Sequence, residues 1–127
     1  MHSLATSLSS FMVFLLVAPS ASAQDAEQGG PWKFGGDPAR GVALIRDYGC
    51  GSCHQVPGVA NADGLIGPPL SNIGVRVYIA GMLRNTPDNL MLWLRHPQQI
   101  VPGNVMPDMG MTAPDARDIA SYLYTLR

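Results

Sequence analysis

The segment Gly-Cys-Gly-Ser-Cys-His at residues 49–54 contains both cysteines of this 127-residue chain and one of its three histidines. Two thiols separated by two residues could form a disulfide, bind a metal ion or react with an external group. His54 adds an imidazole nitrogen directly after Cys53. The function that the sequence indicates therefore depends mainly on the role of these two thiols.

Three conventional uses of the cysteine pair account poorly for the motif. A Cys50–Cys53 disulfide would close a very short loop, gain little stability and leave His54 without a role. A redox-active dithiol normally follows a strand of a βαβ unit, and no strand pattern precedes this segment. A structural zinc site needs four ligands, and His96 is the only plausible fourth. These uses stay open, but another one explains the order of all three residues.

Covalent attachment of haem uses the pattern Cys-x-x-Cys-His. Each thiol adds to one of two vinyl groups on neighbouring pyrrole rings, and a two-residue gap around a helical corner matches their separation. The next residue then lies under the ring, where an imidazole nitrogen can reach the iron. The sequence thus predicts one haem c per chain, held by Cys50, Cys53 and His54.

A low-spin haem for electron transfer needs a second axial ligand, for which the chain has few candidates. His96 would give a bis-histidine site. Three methionines, Met106, Met109 and Met111, lie in one loop rich in proline and glycine. Methionine is often core filler, but a thioether on a loop can approach iron without helical constraint. A soft thioether also stabilises ferrous iron and raises the reduction potential.

Capping residues and apolar spacing predict an all-α domain with three main helices. Asp37-Pro38 begins the first, Thr86-Pro87 the second and Thr112 the last. The loops between them, 55–75 and 97–111, are rich in proline and glycine. Three short helices bury little surface among themselves, so a large flat cofactor would supply the apolar centre that the ordered chain needs.

The first 36 residues have a different character from the rest. Residues 1–23 have the layout of a secretory signal peptide cleaved after Ala23, and an uncleaved membrane anchor is the alternative. Residues 24–36 are polar and glycine-rich, with Trp32 and Phe34 as the only apolar anchors. We therefore predict a signal peptide (1–23), a flexible extension (24–36) and one domain (37–127).

The charge pattern excludes one class of partner. The formal net charge is −1 and only 13% of residues are charged, so no basic stripe is available to neutralise phosphates, and nucleic acid is excluded. The sequence shows no acid–base pair, nucleophile or second metal cluster, which favours an electron carrier over an enzyme. A further hypothesis is a haem whose second ligand can dissociate, so that the iron binds small molecules.

Residues 38–127 resemble the class I cytochromes c, which hold one haem with histidine and methionine ligands. Besides the attachment motif, Gly-Pro-Pro-Leu at 67–70 resembles the Gly-Pro-x-Leu segment of that family. This likeness implies that the Pro68 carbonyl accepts the second ring N–H of His54. The stretch 90–107 is similar to the helix and methionine loop of the family, and implies that Met106 is the axial ligand.

The same resemblance implies roles for four further positions. Trp93 would lie against the haem near the methionine sulfur. Asn104 and Arg76 would lie near the haem propionates. Gly41 would allow a close crossing of the first helix with the last helix, near residues 121–123.

The resemblance also implies a function and a location. It implies the cytochrome c fold, wrapped around one covalent haem, and one-electron transfer between respiratory-chain donors and acceptors in the periplasm. Several stretches look especially like domains attached to terminal oxidases or dehydrogenases. The alternative is therefore a subunit bound permanently to a membrane complex, at the outer face of the inner membrane. Lys33 is the only lysine, so the lysine ring through which some members dock has no counterpart.

Overall fold

The computed structural model describes residues 35–127. The predicted signal peptide and its cleavage point, together with Trp32 and Phe34 of the predicted extension, lie outside the described residues. Four α-helices follow one another along the described chain. They are α1 (Pro38–Asp47), α2 (Pro87–Arg95), α3 (Pro97–Ile100) and α4 (Ala113–Leu123).

The three helix starts predicted from the sequence are confirmed. Asp37, Thr86 and Thr112 each accept a hydrogen bond from a backbone N–H of the first helical turn, and a proline follows within two positions. These side chains satisfy N–H groups that have no partner inside the helix. The all-α fold with three main helices is therefore present, and the four-residue α3 is added to it.

Two details differ from the sequence prediction. Pro97 was expected only to end the second helix, whereas it also begins α3, because a proline fits the first turn where its missing N–H is not needed. Strands β1 (Tyr78–Ile79) and β2 (Leu83–Arg84) pair in antiparallel register. Two-residue strands are too short to show an alternating pattern, so they could not be predicted from the sequence.

Helices α1 and α4 cross closely at Gly41, as the resemblance implied. Gly41 is buried, and a Cβ atom at this position would lie 2.8 Å from the carbonyl carbon of Asp118 and 3.1 Å from Cβ of Tyr122. Ile45 packs in the same core as Ile119 of α4. The two helices thus contact each other at Asp118 as well as at Tyr122, which lies in the expected 121–123 segment.

A polar network closes the same crossing. The Asp118 carboxylate accepts hydrogen bonds from the backbone N–H of Asp37, at 2.8 Å, and from the Arg40 guanidinium. Asp115 accepts from Arg40 at 2.6 Å and from the Tyr48 hydroxyl at 2.8 Å. The first helix is therefore held at both ends, and the cysteine segment that follows it starts from a fixed point.

The Asp115 carboxylate makes the stability of this network depend on pH. Its hydrogen bonds with Thr112 and Tyr48 hold its pKa below the usual value. A carboxylate with a lowered folded pKa stabilises the fold above its unfolded pKa, and this contribution is lost as the pH falls through the folded pKa. The crossing of α1 with α4 is therefore fully stabilised at neutral pH and weakens in acid.

Replacement of Gly41 by alanine tests the close crossing. The added methyl group meets backbone and Cβ atoms of α4 that have no flexible end to move away, and overpacking of this kind costs about 1–3 kcal/mol. We expect Gly41→Ala to lower the free energy of unfolding by that amount in a denaturant titration. Ala39→Ser, which adds one atom at an exposed position of the same helix, is the control and should change it by less than about 0.5 kcal/mol. Equal stabilities of the two variants would contradict the crossing.

Among residues 35–127, no helix is both long enough and apolar enough to cross a membrane.

Candidate functional site

The cysteine segment forms one tight helical turn directly after α1. Gly49 has a left-handed backbone (φ 70°), and residues Cys50–Ser52 form a 3₁₀ helix. The N–H groups of Cys53 and His54 both donate to the Cys50 carbonyl, at 3.2 and 3.0 Å. The two thiols and the imidazole are thus presented by a single corner of the chain, as the attachment motif requires.

The two cysteines are not bonded to each other. Both thiols are free and half-buried, and burial raises the pKa of the Cys50 thiol. Within the described part of the chain, no three His, Cys, Asp or Glu side chains are grouped so that they could hold a metal ion. His96 therefore does not come together with the motif, and neither the disulfide nor the zinc alternative is built here.

His54 is oriented by the loop that follows it. Its Nδ1 lies 2.8 Å from the Pro68 carbonyl oxygen, which can only accept, so Nδ1 is the donor, and in the neutral tautomer that this bond selects Nε2 has the lone pair. This is the hydrogen bond that the Gly-Pro-x-Leu resemblance implied. A Cβ atom at residue 67 would lie 2.6 Å from Nδ1 and 2.8 Å from Nε2 of the ring. Gly67 is therefore required for the loop to pack on the imidazole.

Backbone hydrogen bonds fix the same loop to the cysteine corner. The Gly67 N–H donates to the Cys53 carbonyl at 2.8 Å, and the Gly64 N–H donates to the Gly51 carbonyl at 3.0 Å. The Arg76 guanidinium donates to the carbonyls of Pro69 and Ser71. Arg76, which the resemblance placed near the haem propionates, thus braces the loop that carries Pro68.

The three loop methionines differ in burial. Met111 is 5% exposed and belongs to the buried core, so its sulfur is enclosed by other side chains. Met106 and Met109 are partly buried and pack on the edge of that core, as does Trp93. Asn104 uses its side-chain amide inside the loop, where Oδ1 accepts from the Met106 N–H at 2.8 Å.

The residues present fit a large apolar prosthetic group. Leu65 and Ile66 follow the cysteine corner and are 83% and 67% exposed, and Val105, beside Met106, is 77% exposed. Large apolar side chains gain about 25 cal/mol for each Å² removed from water, so such a set favours a covering group. Two free thiols, an oriented imidazole and a thioether complete a set of donors that suits a covalently bound haem.

The sequence matches the family model for cytochrome c over residues 38–127. The chain belongs to the cytochrome c family. As a member of this family, it carries a covalently attached haem c and transfers single electrons.

Relatives and a solved structure agree with this assignment. The chain is 37% identical over 89 residues to cytochrome c oxidase subunit 2 of Alkalihalophilus pseudofirmus, covering 69% of this cytochrome c and 25% of the relative. It is 32% identical over 87 residues to the protein of the same name from Bacillus subtilis, covering 67% and 24%. This cytochrome c therefore spans about a quarter of the length of these curated relatives.

A solved structure supports the fold. Cytochrome c2 from Rhodobacter sphaeroides superposes with a TM-score of 0.51 at 19% identity, covering 72% of this chain and 96% of the other. At that identity the likeness shows the cytochrome c fold alone.

One residue of the site went unnoticed in the sequence. Gln98 makes three side-chain hydrogen bonds around the methionine loop. It stands beside a second glutamine, Gln99, on the short α3, and nothing in the sequence distinguishes the two.

Proposed function

We propose that Cys50 and Cys53 would hold the haem as thioethers and that His54 Nε2 and the Met106 sulfur would bind its iron. The observation that carries this proposal is the Nδ1 hydrogen bond of His54 to Pro68, which leaves Nε2 free beside two unpaired thiols. Met106 is favoured over the enclosed Met111 by its partial burial. When bound, the haem supplies one-electron chemistry between ferrous and ferric iron.

The residues of the chain set how that chemistry proceeds. His54, held by the Pro68 carbonyl, is fixed in ring orientation, which would strengthen it as a ligand. His54 and Met106 would together hold the haem iron, which would favour electron transfer over the binding of a substrate, so the proposed role is electron transfer and not catalysis. A thioether and partial burial both favour the reduced form and a high potential.

The proposed function is one-electron transport between respiratory-chain donors and acceptors by an exported protein in the periplasm. The absorption spectrum of the matured protein tests the ligand set. We expect a weak sulfur-to-iron band in the ferric form and slow or no binding of carbon monoxide to the ferrous form at neutral pH. Rapid carbon monoxide binding would instead favour a ligand-binding haem with a dissociable Met106.

A second candidate is an electron-transfer subunit held permanently in a membrane oxidase or dehydrogenase complex, at the outer face of the inner membrane. The names of the two oxidase subunits that this chain resembles favour it. Purification through detergent and high salt separates the two candidates. A free carrier separates from the membrane fraction without other subunits, whereas a subunit of a complex stays bound to that complex.

We expect electron exchange with a partner to depend weakly on salt. Strong electrostatic steering needs a field of one sign, and this chain has a net charge of −1 with one lysine. The bimolecular rate constant should change by less than about threefold between roughly 20 and 200 mM salt, across which screening grows several-fold. Stopped-flow mixing with a soluble redox partner measures it, with a lysine-rich cytochrome c as the control. A steep fall of the rate constant with rising salt would show a charged docking face.

A further inference from the structure

Gln98 makes three hydrogen bonds with the loop that carries Met106. Its Nε2 amide donates to the Asn104 carbonyl at 2.8 Å and to the Met106 carbonyl at 2.7 Å. Its Oε1 accepts from the Gly103 N–H at 3.1 Å. All the hydrogen-bonding groups of a glutamine amide, two N–H donors and one oxygen, are therefore used on one short stretch of backbone.

Asn104 completes the same arrangement from inside the loop. Its Nδ2 donates to the carbonyls of Pro97 and Val101, at 3.0 and 2.7 Å, and its Oδ1 accepts from the Met106 N–H at 2.8 Å. The backbone of Met106 is thus held on both sides, its N–H by Asn104 and its carbonyl by Gln98. These two amides are the side chains that fix the Met106 backbone within the described residues.

Gln98 is itself well anchored. It follows Pro97, which is buried and begins α3, so the glutamine starts from a fixed helical turn. The loop it contacts has no repeating backbone hydrogen bonds of its own between Asn104 and the start of α4. Without side-chain partners, such a segment gains conformational freedom, which favours states in which the loop moves away.

We propose that Gln98 is a positioning residue that holds the Met106 thioether in place as the second axial ligand. This inference rests on the proposed function, because it requires Met106 to be that ligand. A methionine side chain has three rotatable bonds, so a fixed backbone limits the positions that its sulfur can reach, and a released backbone adds further freedom. Gln98 fixes the carbonyl of that residue, the Asn104 carbonyl and the Gly103 N–H, which keeps the ligand-bound loop as the dominant state.

The test is the affinity of the ferric protein for external imidazole, which competes with Met106 for the iron. Gln98→Ala removes three hydrogen bonds and should populate the loop state without the ligand, so the apparent affinity rises in proportion to that population. We expect a rise of about tenfold or more, the equivalent of about 1.4 kcal/mol. The sulfur-to-iron band should weaken in parallel.

Two further variants separate positioning from general stability. Gln98→Glu keeps the size and an acceptor for the Gly103 N–H but removes both donors, so it should raise the imidazole affinity at least as much as alanine does. Gln99→Ala, on the exposed neighbour in the same helix, should leave the affinity within about twofold of the starting protein. A merely structural role would lower the melting temperature and leave the imidazole affinity unchanged.

The outcomes distinguish this inference from the proposed function. If the unaltered ferric protein shows the sulfur-to-iron band, Met106→Ala abolishes it, and both Gln98 variants leave the imidazole affinity unchanged, the positioning role is wrong while the ligand assignment stands. If the band is missing in the unaltered protein, the ligand assignment itself fails. A selective rise in both Gln98 variants supports the inference.

Discussion

Met106→His is expected to keep the covalently attached haem and to lower its midpoint potential by at least about 0.1 V. Imidazole is a harder ligand than a thioether and stabilises ferrous iron less, and axial ligands set haem potentials over a range of about 0.8 V. The haem stays attached because thioether formation uses Cys50 and Cys53 and does not involve residue 106. A spectroelectrochemical titration gives the potential, and the sulfur-to-iron band should disappear.

Met109→His is the matched control for this change. Met109 lies in the same loop and is also partly buried at the edge of the core, so histidine there makes the same chemical change without removing the proposed ligand. Its potential should stay within about 0.05 V of the starting protein, a small part of the range that axial ligands cover. A large shift of the potential with Met109→His and none with Met106→His would show that Met109 is the ligand.

Gly67→Ala is expected to have the largest effect on stability. A methyl group at this position would lie within 2.6–2.8 Å of both ring nitrogens of His54, so either the imidazole or the loop must move. The displacement would break the hydrogen bond from Nδ1 to the Pro68 carbonyl. Overpacking and the lost bond together should lower the free energy of unfolding by about 2–4 kcal/mol.

Guanidinium unfolding of the holoprotein, followed in the Soret band, measures this loss. Ala60→Ser, which adds one atom at an exposed position of the same loop, is the control and should unfold at nearly the same denaturant concentration. A Gly67→Ala protein as stable as the control, with an unchanged ferric spectrum, would mean that the loop does not orient the imidazole.

Features set by a few neighbouring residues could be predicted from the sequence. The helix starts at Asp37, Thr86 and Thr112 follow from capping chemistry, which needs only a side-chain oxygen and the next three residues. The cysteine corner follows from the order of three residues in one motif. The resemblance added the contact of Pro68 with His54, which is present at 2.8 Å.

Features that depend on how the loops close could not be predicted. Gln98 and Gln99 are alike in sequence, and only the path of the following loop decides which one meets the Met106 backbone. The placement of Asn104 and Arg76 near the propionates stays a prediction, whereas their hydrogen bonds to backbone carbonyls follow from the path of the loops and were not predicted. The contacts of Arg40 with Asp118 and Asp115 join residues more than 70 positions apart, so no local sequence pattern predicts them.

The central claim is that a haem is joined to the chain through both cysteines. Trypsin digestion of the denatured, matured protein should release the peptide of residues 47–76, since cleavage follows Arg46 and Arg76. This peptide contains both cysteines wherever the N-terminus has been processed. Its mass measures attachment directly: we predict the mass of the bare peptide plus one haem, with neither thiol open to alkylation. A peptide of bare mass with two alkylated thiols, from cells that mature c-type haem proteins, would contradict the account.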